Sequence, residues 1–229
     1  MLSVKNFYLP GAWLPVTQSH FPDGSLHLEP PKQSNTFVAS AIRWDYENDA
    51  ELFSLICLKN HYCNDNIPLY MPYCPHARMD RVKSSNDVFT LKSFAGIINS
   101  LNFSKVVVYD AHSNVSLALI DRIENRDNTP FVERAINKID DPDLVMYYPD
   151  EGAMKRYSEQ FNRPYSFGMK KRDWATGNIK GIDIINKEAV RGKNILIVDD
   201  ICSRGGTFFH SAKALKTEGA KNIYLFITH

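Results

Sequence analysis

Short apolar runs alternate along this chain with stretches of helical periodicity, and this alternation constrains the fold more than any other feature. Ile67 to Tyr73, Val106 to Tyr109, Leu144 to Tyr148, Tyr165 to Met169, Ile195 to Val198 and Ile223 to Thr228 read as strands. Leu52, Leu55 and Ile56 lie on one face of a helix predicted from about Asp49 to Asn60, with Asn48 as N-cap and Glu51 as its capping partner. Leu91, Phe94, Ala95, Ile98 and Leu101 recur at helical spacing. Further helices are predicted over Gly152 to Phe161 and Gly206 to Glu218, the second stopped by Gly219 as a left-handed cap. Apolar strands joined by helices predict an α/β protein with mostly parallel sheets, doubly wound, helices on both faces. The polar stretch Asp121 to Thr129 reads as a linker and divides the chain into domains 1–125 and 126–229.

Composition narrows the function classes. Lys and Arg total 27 against 26 Asp and Glu, a formal charge of +1. No long-range field draws such a chain to nucleic acid or to an anionic membrane, and neither is expected as a partner. Any anion must be recognised by a local site. No apolar stretch approaches the ~18 residues a membrane span needs, and the opening MLSVKNFYLPGAWLP lacks a basic start followed by a long apolar run. Cys57, Cys63, Cys74 and Cys202 form no CxxC pair and are too sparse for a disulfide scaffold. The expectation is a soluble, cytoplasmic protein.

In doubly wound sheets ligands sit beyond the carboxyl ends of strands, so the polar clusters that follow apolar runs carry the chemistry. The strongest is ILIVDDICSRGGT, Ile195 to Thr207. A strand delivers Asp199 and Asp200, and a loop containing Ser203, Arg204, Gly205 and Gly206 then enters a helix at Thr207. Glycines let backbone N–H groups close on an anion, the helix end adds positive potential, and the Ser203 and Thr207 hydroxyls can donate. Such a loop suits a phosphate monoester, with the carboxylates taking ribose hydroxyls or Mg2+. It is not a Walker A loop, because GxxxxGK[ST] is absent. Three other segments add polar groups at strand ends. Arg78 and Arg81 flank Asp80 in MPYCPHARMDR, Asp110 and His112 close a strand in YDAHS, and Asp150 follows Pro149 in YPDEGAMKR. Guanidinium groups pair bidentately with phosphate, whereas imidazole and carboxylate suit Mg2+ or a triphosphate. In MKKRD, Lys170 and Arg172 point to one face of a strand. Taken singly, each has an ordinary reading: solvated arginines, a histidine bonded to its neighbour, an N-cap, a basic rim.

The loop at Ile195 to Thr207 resembles the phosphoribosyl pyrophosphate loop of type I phosphoribosyltransferases and of ribose-phosphate pyrophosphokinases. The remaining segments resemble the pyrophosphokinase family specifically. MPYCPHARMDR is similar to its flexible ATP loop, YDAHS to its D-L-H-A segment, YPDEGAMKR to S-P-D-x-G-G-x-x-R, FPDGSLHL to F-S-D-G-E, and FITH to its L-T-H strand. The resemblance runs in order from Phe21 to His229 and implies two phosphoribosyltransferase-like domains. It further implies transfer of the β,γ-pyrophosphoryl group of ATP to the anomeric hydroxyl of a ribose 5-phosphate, leaving AMP. On the same ground Lys170, Arg172 and His112 are the catalytic candidates. Arg78, Met79, Asp80, Arg81 and His112 are candidates for ATP, joined by Phe21 and Asp23 from a neighbouring subunit of a homodimer or larger assembly. Asp199, Asp200, Ser203, Arg204, Gly205, Gly206 and Thr207 would hold the ribose phosphate, and His112, Asp150 and Asp110 would hold Mg2+.

Departures from the family pattern matter. Ser25 stands where a glutamate is usual, Met79 where a glutamine is, and Val82 where a lysine is. The start is shorter than the family's by about one strand and helix, and the chain stops at the L-T-H strand, which argues against the family's usual allosteric inhibition. The usual D-T-x-G-T of the phosphate loop becomes Ser203, Arg204, Gly205, Gly206, Thr207. A guanidinium at Arg204 could pair with a second phosphate for ~1.5 to 3 kcal/mol, admitting ADP-ribose as acceptor; an Arg204 facing water is the plain alternative. Two other classes remain open: a type I phosphoribosyltransferase that needs no ATP, and a non-catalytic synthetase-associated subunit.

Overall fold

The computed structural model describes residues 1–6, 11–31, 39–62, 66–172 and 179–229, with the side chains of 6, 170–172 and 179–180 excepted. Cys63 lies outside the described residues. The chain forms two compact units, Met1–Arg126 and Asp127–His229.

In the first unit the elements are β1 (Leu2–Asn6), β2 (Trp13–Pro15), β3 (Thr17–His20), β4 (Leu26–Glu29), β5 (Ala39–Trp44), α1 (Ala50–Tyr62), β6 (Leu69–Tyr70), α2 (Thr90–Ser100), β7 (Val106–Tyr109), α3 (Asn114–Leu119) and β8 (Ile123–Arg126). Six strands form one sheet in the order β2-β1-β5-β6-β7-β8, and β3 and β4 form a separate hairpin. From β5 to β8 neighbouring strands are parallel. Their order follows the chain, so right-handed crossovers carry α1, α2 and α3 to the same side of the sheet. One core cluster accordingly gathers Ile42, Leu69 and Val108 from strands with Leu55, Phe94, Ile98 and Ile120 from the helical side. Leu91, Phe94, Ala95 and Ile98 are the buried face of α2, as their spacing predicts.

Three local readings are corrected here. The regular strand within Ile67 to Tyr73 is only Leu69–Tyr70, because Pro68 and Pro72 flank it and cannot donate ladder hydrogen bonds. Glu51 does not close a capping box. Its carboxylate instead takes the Trp44 indole N–H (2.9 Å), the Glu47 N–H (2.9 Å) and the Met1 ammonium (2.7 Å). The stretch Asp121 to Thr129 does hold the division between the units, at Arg126/Asp127, but it is not an irregular linker, since it contains β8, paired parallel with β7 from Val106↔Ile123 to Tyr109↔Arg126. This is an edge strand laced with Glu124 and Arg126, and charge on an edge looks like loop composition.

The second unit comprises α4 (Thr129–Ile139), β9 (Val145–Tyr148), α5 (Glu151–Tyr157), β10 (Tyr165–Arg172), β11 (Ile179–Ile185), a 3-10 turn (Lys187–Ala189), β12 (Ile195–Asp199), α6 (Gly206–Thr217) and β13 (Ile223–Ile227). The sheet order is β11-β10-β9-β12-β13, parallel except for the hairpin partner β11. Winding reverses between β9 and β12, so helices cover both faces and two core clusters result. Tyr148, Tyr157, Val132 and Leu196 belong to one; Tyr147, Ile197, Phe208 and Leu215 to the other. All four residues of β9 are buried, as are Ile195 to Val198 of β12, which is why both read as unbroken apolar runs. Gly219 takes φ +88 after α6, the expected left-handed stop. Helices on both faces thus describe the second unit, while in the first the three crossover helices share one core.

Candidate active site

In the first unit the MPYCPHARMDR and YDAHS segments leave neighbouring strands. Met71 N–H donates to the Val107 carbonyl (2.8 Å) and Tyr109 N–H to that of Pro72 (3.0 Å), so both segments start from the same sheet end. Asp80 accepts from Arg81 at Nε (2.8 Å) and from its terminal nitrogen (3.0 Å). This hydrogen bonding holds the Asp80 carboxyl below its usual range, with the charge of nearby His112 acting in the same direction. Asp80, Arg81 and His112 are therefore brought together, and Met79 lies in the same turn, half-buried, its N–H donating to the His76 carbonyl (2.8 Å). Arg78 is exposed.

Asp110 is buried, carries a positive φ of 47° and donates its N–H to the Arg126 carbonyl (2.7 Å). A left-handed backbone is tolerated by Asp better than by most residues, and it turns the chain sharply off β7 toward His112. The Asn125 side chain accepts the next N–H, that of Ala111, at 3.0 Å, so β8 fixes this turn. Phe21 and Asp23 lie at the tip of the β3–β4 hairpin. Asp23 accepts the Ser25 N–H (2.9 Å) and hydroxyl (2.6 Å), Gly24 takes φ +84, and the Phe21 ring is 52% exposed beside His27.

The second unit carries its polar groups at the reversal between β9 and β12. Asp150, just past β9, caps α5 by accepting the Ala153 N–H (3.0 Å), and Asp199 and Asp200 end β12. Asp200 is buried and meets the Arg156 guanidinium at 2.7 Å. Burial works against the Arg156 charge, yet the Asp200 carboxylate outweighs it and keeps the guanidinium firmly protonated. Asp199 is different. Burial, then the charge of Asp200 and of Asp150, push its carboxyl up to about 7, against the Asp200 N–H that donates to it at 3.1 Å. One carboxylate of the pair is thus locked to a cation, and its neighbour changes charge near neutral pH.

From Asp200 the loop runs to α6. Gly205 takes φ +71 at the N-cap position and no side chain caps the helix, which leaves the first α6 N–H groups pointing out of its end. Ser203, Arg204 and Gly206 are exposed there, with Thr207 half-buried. The end of β13 braces this loop: His229 N–H donates to the Asp200 carbonyl and Cys202 N–H to that of His229, both at 2.9 Å. The Asn128 amide in turn donates to the Thr228 hydroxyl (2.9 Å). Lys170 and Arg172 lie in β10; their side chains are outside the described residues. Among the described residues no group of three His, Cys, Asp or Glu side chains gathers as a ready metal cage. Mg2+ is ordinarily held by one or two carboxylates with waters and substrate phosphates completing its shell, which the Asp199 and Asp150 oxygens could supply. A groove of about 710 Å3 lies elsewhere, between α6 and β13, and is lined by Phe209, Ala212, Ile223 and Leu225.

Arg156 belongs to this polar cluster although its place in the sequence gives it no role. It stands at the end of YPDEGAMKR, but its partner Asp200 is 44 positions away, and only the adjacency of β9 and β12 joins them. No helix among the described residues is long and apolar enough to cross a membrane.

Residues 154–229 match the phosphoribosyl transferase domain family. A ribose-phosphate pyrophosphokinase of Sulfurisphaera tokodaii is 27% identical over 224 residues, covering 94% of this chain and 76% of that protein. One from Thermosipho africanus is 31% identical over 189 residues, 80% of this chain and 59% of that protein. The crystal structure of phosphoribosylpyrophosphate synthetase from Mycobacterium smegmatis shares the fold, with a TM-score of 0.73 and 18% identity over 92% of this chain and 71% of that one. In motif order, in sequence over most of its length and in fold, the chain belongs to the ribose-phosphate pyrophosphokinase family.

Proposed function

We propose that this chain is a Mg-dependent pyrophosphokinase that transfers the β,γ-pyrophosphoryl group of ATP to the anomeric hydroxyl of a ribose 5-phosphate, releasing AMP. The observation that carries the reading is the uncapped N-terminus of α6, entered through left-handed Gly205 in the loop that follows half-buried Asp199 and buried Asp200. Its N–H groups suit a dianionic 5-phosphate, and Ser203 and Thr207 add hydroxyl donors. Ionised Asp199 accepts hydrogen bonds from the ribose diol, while Asp200 keeps Arg156 in place.

Pyrophosphoryl transfer asks mainly for in-line positioning and neutralisation of growing charge. Arg78, Arg81 and His112 provide cationic and hydrogen-bonding groups for the ATP phosphates at one strand end, with Asp80 orienting Arg81. Lys170 and Arg172 supply the clamp on the transferring group. Mg2+, held through Asp150, Asp110 or His112 and phosphate oxygens, would neutralise the triphosphate. Phe21 and Asp23, exposed on their hairpin, are suited to contact the adenine of a neighbouring subunit in a homodimer or larger assembly.

Exposed Arg204, adjacent to Gly205, favours a second reading of the acceptor. A guanidinium there pairs with the distal phosphate of a 5-diphosphate, so ADP-ribose is accepted beside or instead of ribose 5-phosphate. The test is incubation with ATP, Mg2+ and each acceptor, with products identified by mass. AMP together with a pyrophosphorylated sugar is expected, and chelation of Mg2+ should stop it. Absence of AMP with every acceptor refutes the reading, and glycosyl transfer to a base without ATP would replace it by a phosphoribosyltransferase. Absence of turnover with ADP-ribose alone removes only the role of Arg204.

A further inference from the structure

The strand that carries Lys170 and Arg172 parts from the sheet at one residue. β10 pairs with β9 only from Tyr165↔Met146 to Phe167↔Tyr148. β9 is followed by Pro149, which has no N–H to extend the ladder. From Gly168 onward β10 is held by β11, with Gly168 opposite Ile184 and Lys170 opposite Ile182.

Gly168 meets a crowded floor at this point. A Cβ built on it would lie 2.5 Å from the Tyr147 hydroxyl oxygen, 2.7 Å from Ile182 Cγ2 and 2.9 Å from the Pro149 carbonyl oxygen. No real Cβ tolerates such contacts, and the Pro149 oxygen is backbone that cannot swing aside. Its φ is not in the left-handed region, so space rather than backbone conformation demands glycine here. The Tyr147 side chain is fully buried, and its hydroxyl faces α6, where the Ser211 hydroxyl is also buried. Neither hydroxyl completes a regular hydrogen bond to another described group. Burial pushes the phenol up to about 12, with nearby Ser211 working the other way. Tyr147 therefore fills the junction of three parts: α6 below the phosphate loop, the Pro149–Asp150 turn, and the start of the cationic stretch of β10.

We propose that Gly168 is a positioning residue: its missing Cβ lets β10 pass close over the Tyr147 hydroxyl and the Pro149 carbonyl, which sets the strand bearing Lys170 and Arg172 against the turn bearing Asp150. The inference rests on the pyrophosphokinase reading above. A displaced β10 leaves each substrate's binding groups intact but moves the cations that meet charge developing in transfer, so the loss falls on kcat rather than KM.

The experiment compares the parent with Gly168→Ala and with the double variant Gly168→Ala, Tyr147→Phe, in AMP-release kinetics and thermal melting of the full chain. Gly168→Ala is expected to lower kcat by about ten-fold or more, with KM for ATP and for the ribose phosphate within about three-fold of the parent. Removing the oxygen that is nearest the new methyl should recover several-fold of that loss. An unchanged kcat in Gly168→Ala overturns the proposal, as does a loss carried by KM or one that Tyr147→Phe does not relieve. Failure of both variants to fold makes Gly168 a residue of the core alone and overturns it too. A parent that releases no AMP refutes the pyrophosphokinase reading instead, so the two failures are told apart.

Discussion

The two units use the same strand–helix vocabulary and treat charge differently. In the first, β5 to β8 follow chain order, three helices share one core, and Arg78 and Arg81 after β6 are exposed. One ion pair there, Asp80–Arg81, joins adjacent residues and leaves the arginine 72% and the carboxylate 12% exposed. In the second, the order reverses between β9 and β12, and the pair at the reversal, Arg156–Asp200, has a buried carboxylate and a half-buried guanidinium. A reversal separates the helices that follow two adjacent strands and opens a crevice between their loops. Charges placed there are shielded from water, and shielded charges acquire unusual proton affinities and firm partners. The first unit keeps Arg81 solvated, whereas the second holds Asp200 buried against Arg156.

The comparison is most exposed at the two ion pairs. Asp200→Ala leaves the Arg156 guanidinium shielded from water without its carboxylate and should cost about 3 kcal/mol of stability, read as a lower urea midpoint. Arg81→Ala should lower that midpoint by less, because the guanidinium it removes is largely solvated. Equal shifts in the two variants would remove the distinction between the units.

How the sequence foretold these features follows from the same distinction. β9, β12, α2 and α6 were legible because burial makes strands continuously apolar and helices periodic. β1 to β5 gave no such signal: β3 is exposed along its whole length, and β1 pairs antiparallel across long sequence separations. α4 went unassigned although Pro130 in its first turn and Val132, Ile136 and Ile139 at helical spacing mark it, because the polar stretch before it suggested a linker. Asp150, Asp199, Asp200 and Gly205 stood out by their place after strands, and the structure gathers the three carboxylates at one sheet end. What spacing could not reveal was the asymmetry of the pair, since Arg156 reaches Asp200 only through the β9–β12 register, nor the crowding at Gly168, which depends on Tyr147 and Pro149.

That asymmetry predicts a pH dependence near neutrality that arises in the second unit. A carboxyl raised to about 7 in the folded chain and near 3.8 unfolded binds its proton more tightly when folded. Stability contributed by that proton is therefore complete below about pH 4 and drains away as pH rises toward 7, where the ionised form must be borne in a buried acidic site. Asp199→Asn removes the penalty. The variant should melt with the parent at pH 4 and above it at pH 8, at the expense of the ribose-binding carboxylate. Parallel melting curves at both pH values would mean that Asp199 is as solvated as the exposed carboxylates of the first unit.

The smallest expected effect separates conformation from space at two glycines. Gly205 has φ +71 and nothing within 4 Å of where a Cβ would stand, whereas Gly168 has no such φ and three atoms within 3 Å of that position. Gly205→Ala should therefore cost only the left-handed penalty of an L-residue, about 1 kcal/mol, in thermal melting. The loop can relieve that strain by relaxing toward negative φ, which turns the N-terminal N–H groups of α6 away from their common focus. Affinity for inorganic phosphate, measured by calorimetry, should then fall by more than the melting temperature suggests. A variant that loses stability and keeps its phosphate affinity would show that the α6 end, unlike the Asp199–Asp200 pair, needs no fixed backbone to hold its anion.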